Sequence, residues 1–201
     1  LYHSQSLEAL FAHVPGLKVV IPSTPSDAKG LLLAAIRDPD PVCFFEHKAL
    51  YRSLREEVSA EDYLVPIGKG RIARTGRDLS CITYGATVHE AKAAAERLAA
   101  DGIEVEVVDL RTVRPLDRDL IISTARKTGK VLVAHEANLA VGVGAEVAAI
   151  VAEECFQQLD APVMRIGGPE IPAIPFAEPL AEVYCLGPDK IEAKLRELAA
   201  Y

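Results

Sequence analysis

The chain has 201 residues, half of them hydrophobic and a quarter charged, with 22 Lys plus Arg against 29 Asp plus Glu and a formal net charge of −7. A chain of this length can bury roughly 70% of its unfolded surface, enough for a real core in one large or two small domains. The acidic balance argues against nucleic acid or an anionic membrane as partner, since both select a basic face, and no apolar run approaches the roughly 20 residues of a membrane span.

The front of the chain opens at Leu1 without a Met and runs through Tyr2-His3-Ser4-Gln5-Ser6. It does not read as a signal peptide; it reads as a piece of a longer polypeptide. Ser6 to Ala12 predicts a short helix with Ser6 as its cap, broken by Pro15-Gly16. Leu17 to Ile21 predicts a strand. Thr24-Pro25-Ser26-Asp27 predicts a helix start, with Thr24 as cap and Pro25 at the first helical position. Ala28, Leu32, Ala35 and Ile36 then form the expected buried stripe, and Asp38-Pro39-Asp40-Pro41 ends the helix. Val42 to Phe45 predicts another strand.

Between Glu46 and Asp78 the periodicity fails, and Pro66, Gly68, Gly70 and Gly76 punctuate the stretch. It reads as a linker carrying solvated charge, Glu56-Glu57 and Glu61-Asp62 included, with a short hairpin near Gly70 to Thr75. The division is residues 1–60 and 61–201.

From Leu79 to Val133 the chain reads strand, helix, strand, helix, strand. That alternation predicts a parallel sheet covered on both faces. In the helix from Ala86, Val88, Ala91, Ala95 and Leu98 face inward, while His89, Lys92, Glu96 and Arg97 face water. Asp117 caps the next helix. A strand from Val131 ends in His135-Glu136-Ala137-Asn138, and Gly142-Val143-Gly144 opens the helix Ala145 to Gln158. Pro162 to Ile166 predicts a further strand. Pro169, Pro172, Pro175 and Pro179 mark an extended crossing, and Pro188 starts the last helix.

Several residues are candidates for chemistry. His3 reads as a loop imidazole able to move a proton near neutral pH, or as plain polar surface. His135-Glu136 stands at the C-terminal end of a predicted parallel strand, where open α/β sheets place ligands; alternatively His135 satisfies the loop that follows. Gly142 and Gly144 could hold an anion on free N–H groups, with close packing of the helix start as the favoured reading. Arg111, Arg114 and Arg118 could receive a partner's carboxylates or cap loops. Asp38 and Asp40, with the carbonyl of Ala35, could bind a cation through oxygen, or form a plain Asp-Pro turn. Cys43, Cys81, Cys155 and Cys185 lack CxxC spacing and read as buried reduced thiols, which implies a reducing compartment.

The runs Tyr2 to Ala9, Pro15 to Pro22, Asp27 to Leu32 and Phe44-Phe45-Glu46 resemble the E1 β subunit of 2-oxo acid dehydrogenase complexes. So do Val107 to Asp117, Lys127 to Lys130 and His135-Glu136-Ala137. Glu153-Glu154-Cys155-Phe156 and the closing helix look most like the branched-chain type.

The resemblance implies an α/β fold: the end of a thiamin-diphosphate pyrimidine-binding domain, then a three-layer transketolase C-terminal-like domain with a mostly parallel sheet. It implies thiamin diphosphate and Mg2+ shared with an E1 α subunit, whose main ligands lie outside these residues. A second β subunit and the lipoyl acyltransferase E2 are the other implied partners. His3 matches the family's proton-moving histidine. Ala35, Asp38 and Asp40 match its potassium site. Arg111, Arg114 and the terminal Tyr201 are the expected partner-contacting residues. The location implied is the cytoplasm in a bacterium or the mitochondrial matrix in a eukaryote. The glutamate that activates the cofactor would precede Leu1, so these residues alone are expected to be inactive. Two other readings stand beside this one: a non-catalytic docking module for the E1 partner and E2, and another transketolase-like enzyme, such as transketolase proper or a deoxyxylulose-phosphate synthase.

Overall fold

The structure is a computed structural model that describes residues 5–201. Strand alternation builds most of it. In β4 (Leu79–Thr83), β5 (Val105–Asp109) and β7 (Val131–Asn138), successive side chains point to opposite faces. Leu79, Cys81, Val105, Val107, Leu132 and Ala134 pack on one side, with α4 (Thr87–Ala99) and α8 (Pro188–Ala199). Ile82, Val108, Val131 and Val133 pack on the other, with α5 (Arg118–Thr128) and α6 (Val143–Cys155). With β3 (Arg71–Arg74) and β8 (Met164–Gly168), the sheet order is β3-β5-β4-β7-β8. Every pairing in it is parallel except β3 with β5. This is the expected three-layer arrangement. The segment Gly70 to Thr75 is not a hairpin; β3 adds to β5, so its partner is distant in sequence.

A smaller sheet precedes it. β1 (Lys18–Val20) pairs parallel with β2 (Val42–Phe44), across the helix α2 (Pro25–Arg37), and the one-turn helix α3 (Leu50–Ser53) follows β2. Its other neighbour is β6 (Thr112–Arg114), which follows β5 in the chain and pairs antiparallel with β1. Val19 and Ile21 join the core cluster that holds Ile121 and Val147, so the two sheets share buried apolar surface.

Several sequence expectations change. α1 (Glu8–Ala12) is capped by Leu7 without a side-chain bond, so Ser6 is not its cap. α2 starts as expected, with Thr24 accepting from the Asp27 N–H, but its buried residues are Asp27, Gly30 and Leu31, while Leu32 is 44% and Ile36 72% exposed. The reason is the supposed linker, which straps along the other face. Tyr63 Oη donates to the Ser26 carbonyl at 2.8 Å, Val65 N–H donates to the Gly30 carbonyl at 3.1 Å, and the Ser26 N–H donates to Glu56 at 2.6 Å. Glu56 is therefore a charge on the helix N-terminus and not free solvated charge. After β8, the proline-rich crossing contains the helix α7 (Glu178–Tyr184), which the prolines hide from a sequence reading. Cys81 and Cys155 are buried and Cys43 half-buried, but Cys185 is exposed. Burial pushes the Cys81 thiol up to about 12.

Charged groups join the two sheets. Arg111 takes a positive φ of 55° at the end of β5, and its guanidinium reaches Asp27 of α2 at 2.9 Å and the Gly70 carbonyl at 3.0 Å. Arg71 of β3 lies 3.2 Å from Asp27 and 3.3 Å from the fully buried Asp109. Asp109 also accepts from the Ser23 hydroxyl at 2.5 Å. His89 of α4, expected to face water, bonds the Ser23 carbonyl at 2.7 Å. Removing one member leaves the other charges buried without a partner, which costs about 3 kcal/mol or more. Asp27→Ala is therefore expected to shift the urea unfolding midpoint by a stability loss of about 3 kcal/mol, while Asp62→Ala, on the exposed Arg37 pair, is expected to change it by less than about 1 kcal/mol.

Candidate functional site

The C-terminal ends of three parallel strands meet where the two sheets join. Beyond β2 lies His47, beyond β4 lies Tyr84, and near the end of β7 lies Glu136. His47 Nε2 is 3.1 Å from Glu136 Oε2. The Ala86 N–H donates to His47 Nδ1 at 3.3 Å, which assigns the ring proton to Nε2, so Nε2–H donates to the carboxylate. Gly85 makes this approach possible. It has φ +60°, and a Cβ there would stand 2.4 Å from the His47 ring.

A second carboxylate stands beside the first. Tyr84 Oη donates to Glu8 Oε1 at 2.6 Å, and Glu8 is only 2% exposed. Burial raises the Glu8 carboxyl above the ordinary range, with the Tyr84 hydrogen bond opposing. Burial, then the Glu8 charge, hold Tyr84 well above 10, so it stays a donor. Glu136 is displaced in the opposite direction: the hydrogen bond from His47 lowers it against burial, with Ser6 contributing least.

A bulge puts Glu136 in place. The β7–β8 register runs from Ala134 opposite Ile166 to Asn138 opposite Gly168, so β7 uses more residues than β8 to cover the same length. Such a bulge redirects a side chain. His135 closes it. Its ring is completely buried, Nδ1 bonds the Ala137 carbonyl at 2.9 Å, and Nε2 has no partner among the described residues. Burial lowers its pKa, so the ring is a neutral structural group, as the loop-satisfying reading expects. Gly142 and Gly144 pack against it; a Cβ at Gly144 would lie 2.5 Å from Nε2. This is the packing role, and the glycines are not an anion cradle.

Two clefts flank the junction. His47, Glu46 and Tyr51 border one of about 280 Å³. Gln5, Ser6, Ala137 and Arg114 border one of about 850 Å³.

Residues 68–191 match the family described as "Transketolase, C-terminal domain", and residues 2–53 match "Transketolase, pyrimidine binding domain". The chain belongs to the transketolase C-terminal domain family. It is 57% identical over all 201 residues to the 2-oxoisovalerate dehydrogenase subunit β of Bacillus subtilis, covering 62% of that protein. It is 53% identical over 176 residues to the pyruvate dehydrogenase E1 component subunit β of the same organism, which is 88% of this chain and 54% of that protein. A solved structure described as "Split gene transketolase, inactive beta4 tetramer" superposes with a TM-score of 0.79 at 28% identity, over 96% of this chain and 60% of that one. The chain thus spans about three-fifths of the length of these relatives.

In this transketolase-type domain the predicted residues scatter. His3 lies outside the described residues. Arg111 is not available to a partner, because Asp27 and the Gly70 carbonyl occupy its guanidinium. Arg114 is exposed at the larger cleft, and Tyr201 is 63% exposed at the chain end. Arg118 pairs with Glu154 at 3.0 Å. Among the described residues, no hydrogen bond or ion pair joins Arg111, Arg114 and Tyr201 into one site.

Asp38 and Asp40 do come together, but around a lysine, while the Ala35 carbonyl accepts from the Asp38 N–H at 3.4 Å. Lys18 Nζ lies 2.7 Å from Asp38 Oδ1 and 3.0 Å from Asp40 Oδ2, and the Asp38 carboxyl is held low mainly by that bond. Those carboxylates already have a cation, so they do not fit potassium; only backbone oxygens of the turn are left for one. Among the described residues no group of three or more His, Cys, Asp and Glu could hold a metal ion, and no helix is long and apolar enough to cross a membrane.

Sequence reasoning missed His47, Tyr84, Glu8 and the role of Glu136. The available signal is positional: Phe44-Phe45-Glu46-His47, Thr83-Tyr84-Gly85 and His135-Glu136 each follow an apolar strand.

The two carboxylates predict opposite pH behaviour. Glu136 is lowered from 4.5, so its stabilisation is present above that value and is lost as pH falls through the folded pKa. Glu8 is raised from 4.5, so its contribution is complete below that value and is lost as pH rises through the folded pKa. Urea midpoints measured from about pH 4 to about pH 7 are expected to show Glu136→Gln losing stability relative to the parent as pH rises, and Glu8→Gln gaining it.

Proposed function

We propose that the chain is the C-terminal part of an E1 β subunit of a thiamin-diphosphate-dependent 2-oxo acid dehydrogenase complex of the branched-chain or pyruvate type. The parent enzyme decarboxylates a 2-oxo acid oxidatively and transfers the acyl group to a lipoyl arm on E2. The observation that carries this reading is the 57% identity over every residue of the chain to a 2-oxoisovalerate dehydrogenase subunit β. The strand-end crevice supports it, because that is where this class of sheet places ligands.

Thiamin diphosphate would supply the electron sink for decarboxylation, bound with Mg2+ at an interface with an α subunit. The described residues offer no metal ligand set, so no step at the cofactor is assigned to them. What this chain contributes is proton handling at His3, the crevice wall, and surfaces for an α subunit, a second β subunit and E2. The division at residues 60 and 61 belongs to the same reading, with the strap along α2 carrying the chain from one domain to the next. Potassium, on this reading, would take the Ala35 carbonyl with Asp38 and Asp40, whose carboxylates meet Lys18 in the structure. The 201 residues alone are expected to be silent even with an α subunit; turnover by that mixture would argue against this. The docking reading keeps Arg114 and Tyr201 as exposed contacts but loses Arg111, whose charge is internal.

In the full-length subunit assembled with α, His3→Ala is expected to lower lipoyl acylation by about 10²–10⁴-fold, with thiamin diphosphate affinity nearly unchanged. An equal loss of cofactor binding would count against the proton-transfer role.

A further inference from the structure

We propose that the transketolase-type C-terminal domain positions the segment that carries His3, with Tyr84 and Glu136 as positioning residues. The inference rests on the reading of His3 as the proton-moving group.

The polar side chains that follow His3 in the sequence reach across to the second domain. Gln5 Nε2 donates to the carbonyls of Ile171 at 3.1 Å and Pro172 at 3.0 Å. Ser6 stands beside Glu136 and helps, least of the causes, to lower its carboxyl. Glu8 accepts from Tyr84 at 2.6 Å. The receiving groups come from three separate stretches: the end of β4, the β7 bulge and the crossing after β8.

The segment cannot hold its own geometry. α1 has five residues and no side-chain cap, far below the length at which a helix is stable alone. Its buried carboxylate would be costly without the Tyr84 hydroxyl. The anchors are themselves fixed. Glu136 is held by His47, and His47 by the Ala86 N–H, two residues after Tyr84. These contacts run through both domains: Glu136 meets His47, His47 meets the Ala86 N–H, and Tyr84, two residues before Ala86, meets Glu8. Gln5 stands two residues after His3 in the sequence, so the anchored residues begin next to the segment that carries it. Misplacing a reacting group by about 1 Å can cost about 100-fold in rate.

The test uses full-length β subunit assembled with α, comparing Tyr84→Phe, Glu136→Gln and His3→Ala. Three quantities are read: acyl transfer to a free lipoyl domain, decarboxylation coupled to an artificial electron acceptor that bypasses lipoate, and amide hydrogen exchange of the peptide covering residues 5–12. Tyr84→Phe and Glu136→Gln are each expected to lower acyl transfer by about 10- to 100-fold, leave decarboxylation within about twofold, and speed exchange in that peptide. The double variant Tyr84→Phe with Glu8→Gln is expected to transfer acyl groups no more slowly than Tyr84→Phe alone, because both changes remove one bond. If both reactions fall together, the residues are merely structural and the inference is overturned. Unchanged acyl transfer with unchanged exchange also overturns it. His3→Ala separates the two ideas. If that variant transfers acyl groups normally, the role of His3 fails, and the exchange of residues 5–12 in the other variants alone decides whether the domain positions the segment.

Discussion

The pairing of buried charge between the two sheets is the constraint from which the rest follows. Asp27 comes from the helix of the small sheet, Arg71 and Asp109 from strands of the large one, and Arg111 from the turn that links them. Apolar contact between Val19, Ile21 and the α5–α6 layer tolerates many docking angles, because it has no direction. A guanidinium fork does not. Arg111 must meet a carboxylate and the Gly70 carbonyl together, and any other docking leaves charges out of water without partners. The sheets are therefore fixed so that β2, β4 and β7 end at one place. β6 reinforces this by leaving the large sheet and pairing with β1.

How far the sequence reveals this depends on which interactions are local. The three-layer domain is readable because period-two alternation in Leu79 to Thr83 and Val131 to Ala134, and helical spacing at Val88, Ala91, Ala95 and Leu98, encode the buried faces directly. The Thr24 cap is readable for the same reason: donor and acceptor are three residues apart. α2 shows where this stops. Its most apolar face, Leu32 and Ile36, is exposed, while Gly30 and Asp27 face inward. The partner on that side is a strap with no periodicity, held by Tyr63 and Val65 through backbone carbonyls, which no hydrophobic pattern reports. β3 escapes detection likewise, since its pairing with β5 spans more than thirty residues.

The site follows the same rule. The reading of His135-Glu136 reached a strand end at the crevice and offered the loop-satisfying histidine that the bond to the Ala137 carbonyl bears out, but it gave Glu136 no role of its own. In a buried strand, His135 continues the inward side of Val131 and Val133. The alternation continues into the bulge, with His135 and Ala137 buried and Glu136 half-buried in the crevice. A bulge depends on the neighbouring strand, here Gly167 and Gly168 of β8, so it is not visible in the residues of β7. Arg111 is the converse. A loop arginine looks available until the approach of α2 supplies Asp27.

The junction also explains why two glutamates within one cluster behave differently. Glu8 has a neutral donor, the Tyr84 hydroxyl, and almost no solvent; desolvation dominates and its proton is held more tightly. Glu136 retains some solvent and faces the Nε2–H of a histidine oriented by the Ala86 N–H; hydrogen bonding dominates and the carboxylate stays charged. The environments come from different domains, so the difference exists only once both have docked. Glu136, kept ionised beside an oriented imidazole, is held in the crevice by a charge-assisted hydrogen bond, while Glu8 is held under Tyr84 by a bond from a neutral hydroxyl.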